Sequence, residues 1–174
     1  MILPLALLDA INALQLAGLQ CTGDFSEDVE AREYGGFRFT LEGRQVVFRV
    51  AKITPTKVGQ FVTLWYRPRV DGVIAPLDCA DAIDFVVIHA ASEDHAGLFV
   101  FDRETLISRG VMSSNGVGGK RALRVYPPWS TPSARQALQT QRWQVGYFVD
   151  FAGSDENSAR GVRELFHGIS HDFI

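Results

Sequence analysis

The sequence predicts one α/β domain with a mixed sheet, of the α+β kind, spanning residues 1–174. Three observations carry this. Apolar runs of strand length recur at 36–41, 45–51, 60–66, 84–90, 97–101 and 121–126. Helical periodicity appears at both ends and again near 131–141. No internal repeat and no linker-like stretch divides the chain, and 174 residues suffice to bury a substantial core.

At the start, Pro4 suits a first helical turn, and Leu3, Leu7, Ile11 and Leu14 recur at helical spacing beside Ala6, Ala10, Ala13 and Ala17. Gly18 is the stop. Ser26–Tyr34 is acidic and reads as a short helix carrying Glu30 and Glu33. Phe37, Phe39 and Leu41 alternate on one strand and Val46, Phe48 and Val50 on the next, with Glu42–Gly43 as the turn. Arg49 therefore points away from the Phe48 face, as a ligand-facing cation would and as any exposed strand residue would.

Pro55 keeps the following turn out of a central strand. Gln60–Tyr66 is the third strand, with Phe61, Thr63 and Trp65 on one face. Arg67–Asp81 is a connection; Asp84–Ala90 is continuously apolar, as a strand covered on both faces should be. Gly97–Phe101 is a further strand, Asp102–Arg109 a short helix ended by Gly110, and SSNGVGG at 113–119 a flexible loop into strand 121–126. Thr131–Gln141 reads as a helix capped by Thr131 or Ser133, Trp143–Phe151 as a short aromatic segment, and Asp155–His167 as an amphipathic helix with Val162, Leu165 and Phe166 inward.

Composition narrows the function classes. Cys21 and Cys79 form no disulfide framework and have no metal-ligand spacing, so a reduced, cytoplasmic setting is expected. The first nineteen residues lack a basic start and carry Asp9 and Asn12, so neither a targeting segment nor a membrane span is expected. The net charge of −3 argues against an indiscriminate nucleic-acid binder. Its distribution says otherwise: residues 44–69 carry six basic side chains and no acidic one, residues 70–102 seven acidic and no basic one, and residues 103–142 are again basic. A local field depends on the patch rather than the total. The opposing blocks can also simply neutralise each other across the fold.

Both basic blocks mix cations with aromatics. The first holds Arg49, Lys52, Lys57, Gln60 and Trp65, the second Lys120, Arg121, Arg124, Tyr126 and Trp129. Cations beside an aromatic face suit a phosphate backbone and a stacked base, although a solvated basic hairpin would carry the same residues. Glu30 and Tyr34, AKITPTKVGQFVTLW at 51–65, GLFVF at 97–101, GKRALRVYPPW at 119–129, QALQTQRW at 136–143 and GYF at 146–148 together resemble the MepB-like proteins, from about Glu30 to Phe151. The resemblance implies a restriction-endonuclease-like core with flanking helices.

An active nuclease of that class needs a strand aspartate and an acidic-x-lysine to hold a divalent metal and activate water. The three lysines, Lys52, Lys57 and Lys120, are preceded two positions earlier by Val50, Pro55 and Gly118, so the motif is absent. Glu30, Asp81 and Asp84 are the carboxylates left for a residual metal site. GVGGK at 116–120 fails the phosphate-loop pattern, with Ser114 and Arg121 at positions that require glycine and a hydroxyl, though its amides and Lys120 could contact a phosphate. His167 and His171 have one-turn spacing but lie near the terminus; His89 and His95 flank the acidic turn at Glu93–Asp94. Trp129, after Pro127–Pro128, is the tryptophan expected to be exposed, with Trp65 half-buried and Trp143 in the core.

The expected function is nucleic-acid binding without cleavage, favouring single-stranded DNA or RNA. Arg49, Lys52, Lys57, Lys120, Arg121 and Arg124 would contact phosphates, Gln60 would make polar contacts, and Trp129 would stack on a base. No cofactor, catalytic residue or metal ligand is assigned. A metal-dependent nuclease or phosphodiesterase with an altered site, and a protein-interaction or small-anion module, are the alternatives.

Overall fold

The computed structural model describes residues 1–153 and 155–167. Its frame is a six-stranded sheet built from β1 (Cys21–Glu27), β2 (Phe37–Leu41), β3 (Arg44–Val50), β8 (Phe85–Ser92), β9 (His95–Asp102) and β11 (Phe148–Asp150), in the order β1-β2-β3-β8-β9-β11. β3 and β8 run parallel and every other neighbouring pair is antiparallel, so the sheet is mixed. Glu42 and Gly43, both at positive φ (48° and 81°), make the two-residue hairpin between β2 and β3. The primed turn this produces matches the strand twist, which is why a glycine is needed there.

Strand alternation divides the core into two layers. Phe37, Phe39, Val46, Phe48, Val87 and Leu98 face helix α1 (Leu5–Leu16) and helix α4 (Asp155–His167), whose Leu7, Leu14, Val162 and Phe166 are fully buried. Val47, Val86, Ile88, Phe99 and Phe101 face the opposite way, under helix α2 (Arg103–Ser108), Val111, Met112 and a second, smaller sheet. β8 is therefore covered on both faces, as its unbroken apolar run requires. The second sheet is three-stranded, in the order β10-β5-β4: β10 (Ala122–Val125), β5 (Gln60–Thr63) and β4 (Lys52–Ile53). β6 (Trp65–Tyr66) and β7 (Ala75–Pro76) pair separately, so the 60–66 run breaks at Leu64 and its halves take different partners.

Several boundaries differ from the sequence reading. β1 was not visible as a strand because CTGDFSE is mostly exposed at a sheet edge and shows no apolar alternation. The region read as a helix at 26–34 is the end of β1 followed by a 3-10 turn over Val29–Tyr34. α3 spans Arg135–Gln144, with Ala134 at its N-cap and no side-chain cap; Thr131 and Ser133 lie before it. His89 and His95 fall on opposite faces of the β8–β9 hairpin, since His89 pairs with Leu98 of the α1 layer and His95 precedes Phe99 of the other at even spacing. Their side chains leave opposite faces, although both residues line one cleft with Glu93 and Asp94. His171 lies outside the described residues.

Candidate nucleic-acid interface

The small sheet joins the two basic blocks. Register sets Phe61 opposite Arg124 on one side and opposite Lys52 on the other, so Arg124, Phe61 and Lys52 form one row across β10, β5 and β4. Val62, Leu64, Leu123 and Val125 point inward and are buried; the row occupies the other face. Arg124 lies over the Phe61 ring at 5.9 Å, and Lys52 over the Tyr34 ring at 4.6 Å. Tyr34 meets Phe61 edge-on at 6.0 Å. Lys52 also pairs with Glu33 at 3.2 Å.

Helix α3 lies beside β10, an outer strand whose free edge needs partners. Gln144 supplies them: its fully buried side chain accepts from the Tyr126 amide at 2.8 Å and donates to the Arg124 carbonyl at 3.0 Å. Gln141 donates to the Pro127 and Ser130 carbonyls. Those two bonds give Gln141 of QALQTQRW a physical role. Between β10 and α3 run two adjoining clefts of about 330 and 240 Å³ that share Arg124, Tyr126, Ala134 and Ala137. Lys120 lines one and Lys57 the other, and no acidic residue lines either. Arg124 Nη1 donates to Thr54 Oγ1 (3.1 Å) and to the Val58 and Gly59 carbonyls (3.2 and 3.3 Å), which fixes the turn bearing Lys57. Lys57, Lys120 and Arg121 are exposed and have no ion pair among the described residues. Arg121 stands at the start of β10 and lines neither cleft.

Three residues expected at the ligand are placed elsewhere. Arg49 does point away from Phe48, but that face is covered by the second layer and its side chain is 0 % exposed. It donates to Asp28 at 2.7 Å and to the Phe48 carbonyl at 2.9 Å. Burial pushes its pKa down and Asp28 opposes the shift. Gln60 is 3 % exposed and donates to the Ala91 carbonyl at 3.0 Å, so it joins the two sheets instead of facing solvent. Trp129 is half-buried, stacked on His95 at 4.9 Å and edge-on to Phe148 at 5.5 Å. Its partner His95 lines a cleft with Glu93 and Asp94, so one face of the indole is already taken by the acidic hairpin. In the sequence Phe61 is one apolar strand residue among many. Its place opposite both Lys52 and Arg124 follows only from a register that pairs β4, β5 and β10.

The carboxylates considered for a metal are separately engaged. Glu30 pairs with Arg67 at 2.9 Å, Asp81 accepts from the Tyr66 hydroxyl and the Asp78 amide, and Asp84 accepts from the Gln45 amide. Among the described residues no three His, Cys, Asp or Glu side chains converge.

The glycine loop already holds an anion of its own. Asp78 accepts from Ser113 Oγ at 2.6 Å, the Gly116 amide at 2.9 Å and the Ala80 amide at 2.9 Å. Asn115 and Gly116, at φ 52° and 82°, turn the tip. The Gly116 amide is thus not free to cradle a phosphate. The Ser113 hydroxyl, then the Gly116 and Ala80 amides, hold the Asp78 carboxyl down at about 2, against an ordinary 3.8. A depressed carboxyl stabilises the fold above its unfolded pKa and stops doing so as pH falls through the folded one. Hydrogen exchange at the Gly116 amide should therefore be slow above pH 4 and accelerate towards pH 2 beyond the intrinsic pH trend. Asp78→Asn should show the fast rate throughout; an unchanged rate in that variant would refute the role.

Comparison with known proteins agrees on a single group. A family model described as MepB-like matches residues 28–150. A solved structure titled "Crystal Structure of MepB" is similar at 32% identity and a TM-score of 0.72, covering 78% of this chain and 89% of that one. No curated protein matches.

Proposed function

The chain belongs to the MepB-like family, and from that premise we propose that it binds nucleic acid through the small sheet and the clefts beside α3, without cleaving it. The observation that carries this is the pairing of both basic blocks in one sheet, with Lys57, Lys120 and Arg124 lining adjoining clefts free of carboxylates. A polyanion neutralised there releases counterions. Lys52 and Arg121 extend the positive surface. Aromatic rings beside the cations favour a single strand of DNA or RNA over a duplex, because unpaired bases have free faces. The mixed sheet with helices packed on it supports a restriction-endonuclease-like core, and the missing acidic-x-lysine supports binding in place of hydrolysis. No helix among the described residues is long and apolar enough to cross a membrane, and with two free cysteines a cytoplasmic setting completes the reading.

The test is a titration with labelled oligonucleotides across a salt series. Each phosphate neutralised on a single strand adds about −0.7 to the slope of log affinity against log salt, so about four contacts give a slope near −3. Lys120→Ala should flatten the slope by roughly 0.7 and weaken all sequences alike. Binding without salt dependence would overturn the reading. Inorganic phosphate competing as well as the strand would favour a small-anion module. Magnesium-dependent cleavage abolished by Asp84→Ala, with folding intact, would establish the nuclease instead.

A further inference from the structure

Phe61 meets the Tyr34 ring at 6.0 Å and lies under the Arg124 guanidinium at 5.9 Å. It sits mid-strand in β5 and is half-buried, while its neighbours Gln60 and Val62 are buried. It packs into neither of the two hydrophobic layers. On the outer face of a three-stranded sheet, a phenylalanine between two cations is an apolar ring presented where a polar residue would keep the strand equally well. Tyr34 and Phe61 meet in an edge-type contact, and Lys52 and Arg124 flank Phe61 at one register position each. Glu33 is the acidic group beside this row, and it is paired with Lys52.

We propose that Phe61, buttressed by Tyr34, is the platform on which an unpaired nucleobase stacks, with Lys52 and Arg124 taking the phosphates on either side. The inference rests on the nucleic-acid reading above and adds the base contact. An aromatic ring accepts any base, so the platform selects for single-strandedness and not for sequence. The cations beside it supply the charge complementarity that a protein partner with an apolar patch would not need. Trp129 is stacked on His95 and edge-on to Phe148, outside the row of Lys52, Phe61 and Arg124.

Two variants and two ligands test this. Phe61→Leu keeps an apolar strand residue and removes the π-face; Phe61→Tyr keeps both. The probes are a labelled oligothymidylate and the same strand with its bases removed, at fixed low salt, with urea midpoints confirming folding. Wild type should prefer the oligothymidylate. Phe61→Leu should weaken it about tenfold, in the range of one stacked base, with the salt slope unchanged. Phe61→Tyr should restore it, and the abasic strand should bind all three proteins alike. A Phe61→Leu protein with wild-type affinity for the oligothymidylate, or one that weakens both strands equally, overturns the platform while the cationic groove stands. A wild-type protein that binds neither strand overturns both readings together.

Discussion

Asp28→Ala is expected to destabilise the protein by about 3–5 kcal/mol, the scale for stripping a buried ion of its partner. Arg49 is wholly enclosed between the two layers, while Asp28 keeps 20 % of its side-chain surface. Removing the carboxylate leaves a guanidinium in a low-dielectric interior with only the Phe48 carbonyl as acceptor, and its Nε is already without a partner. The cost should appear as a lower urea midpoint with an unchanged slope. Asp28→Asn, which keeps an acceptor but not the charge, should fall between. The double variant Asp28→Ala with Arg49→Met should recover much of the loss, because an apolar side chain can replace a buried ion pair at little cost. An Asp28→Ala protein within about 1 kcal/mol of wild type would mean that the pair has little energetic weight. The same aspartate also accepts from Ala31 and donates to Gly36 through its backbone, so the 3-10 turn that presents Glu33 to β4 and Tyr34 to β5 hangs on it.

Arg49 shows how far a sequence pattern reaches. Period-two alternation correctly places it on the face opposite Phe48, but cannot tell whether that face meets water or a second layer. Its partner lies twenty-one residues earlier in the chain, in an acidic stretch that reads from sequence as a short helix. The central strands were legible because their burial is local: Phe37, Phe39 and Leu41 alternate, and β8 is apolar throughout. β1 and the division of 60–66 at Leu64 were not, since both are decided by which strand lies alongside. β10 pairing with β5 and β5 with β4 sets Arg124 and Lys52 on either side of Phe61, a placement that register decides and composition does not. Trp129 was misplaced because a preceding Pro-Pro suggests exposure but carries no information about the hairpin on which the indole settles. Charge runs gave the surface; register and layer order decided which of its residues face outward.

In the proposed interface Arg124 is the side chain where fold and binding would meet, so its removal should cost more affinity than that of any other single cation. Its Nη1 holds Thr54 and the Val58 and Gly59 carbonyls, and those residues bracket Lys57. Arg124→Ala should remove one phosphate contact directly and release the turn that positions a second. The single-strand salt slope should then flatten by roughly 1.4, against about 0.7 for Lys57→Ala. Coupling of this kind makes the pair non-additive: the double variant should be no flatter than Arg124→Ala alone. Arg124→Lys keeps the charge but not the guanidinium whose Nη1 reaches the three acceptors, and should fall between wild type and Arg124→Ala. The same oligonucleotide titrations across salt read all four proteins. Slopes that simply add in the double variant would show that Arg124 and Lys57 act independently, and that the turn keeps its shape without the guanidinium.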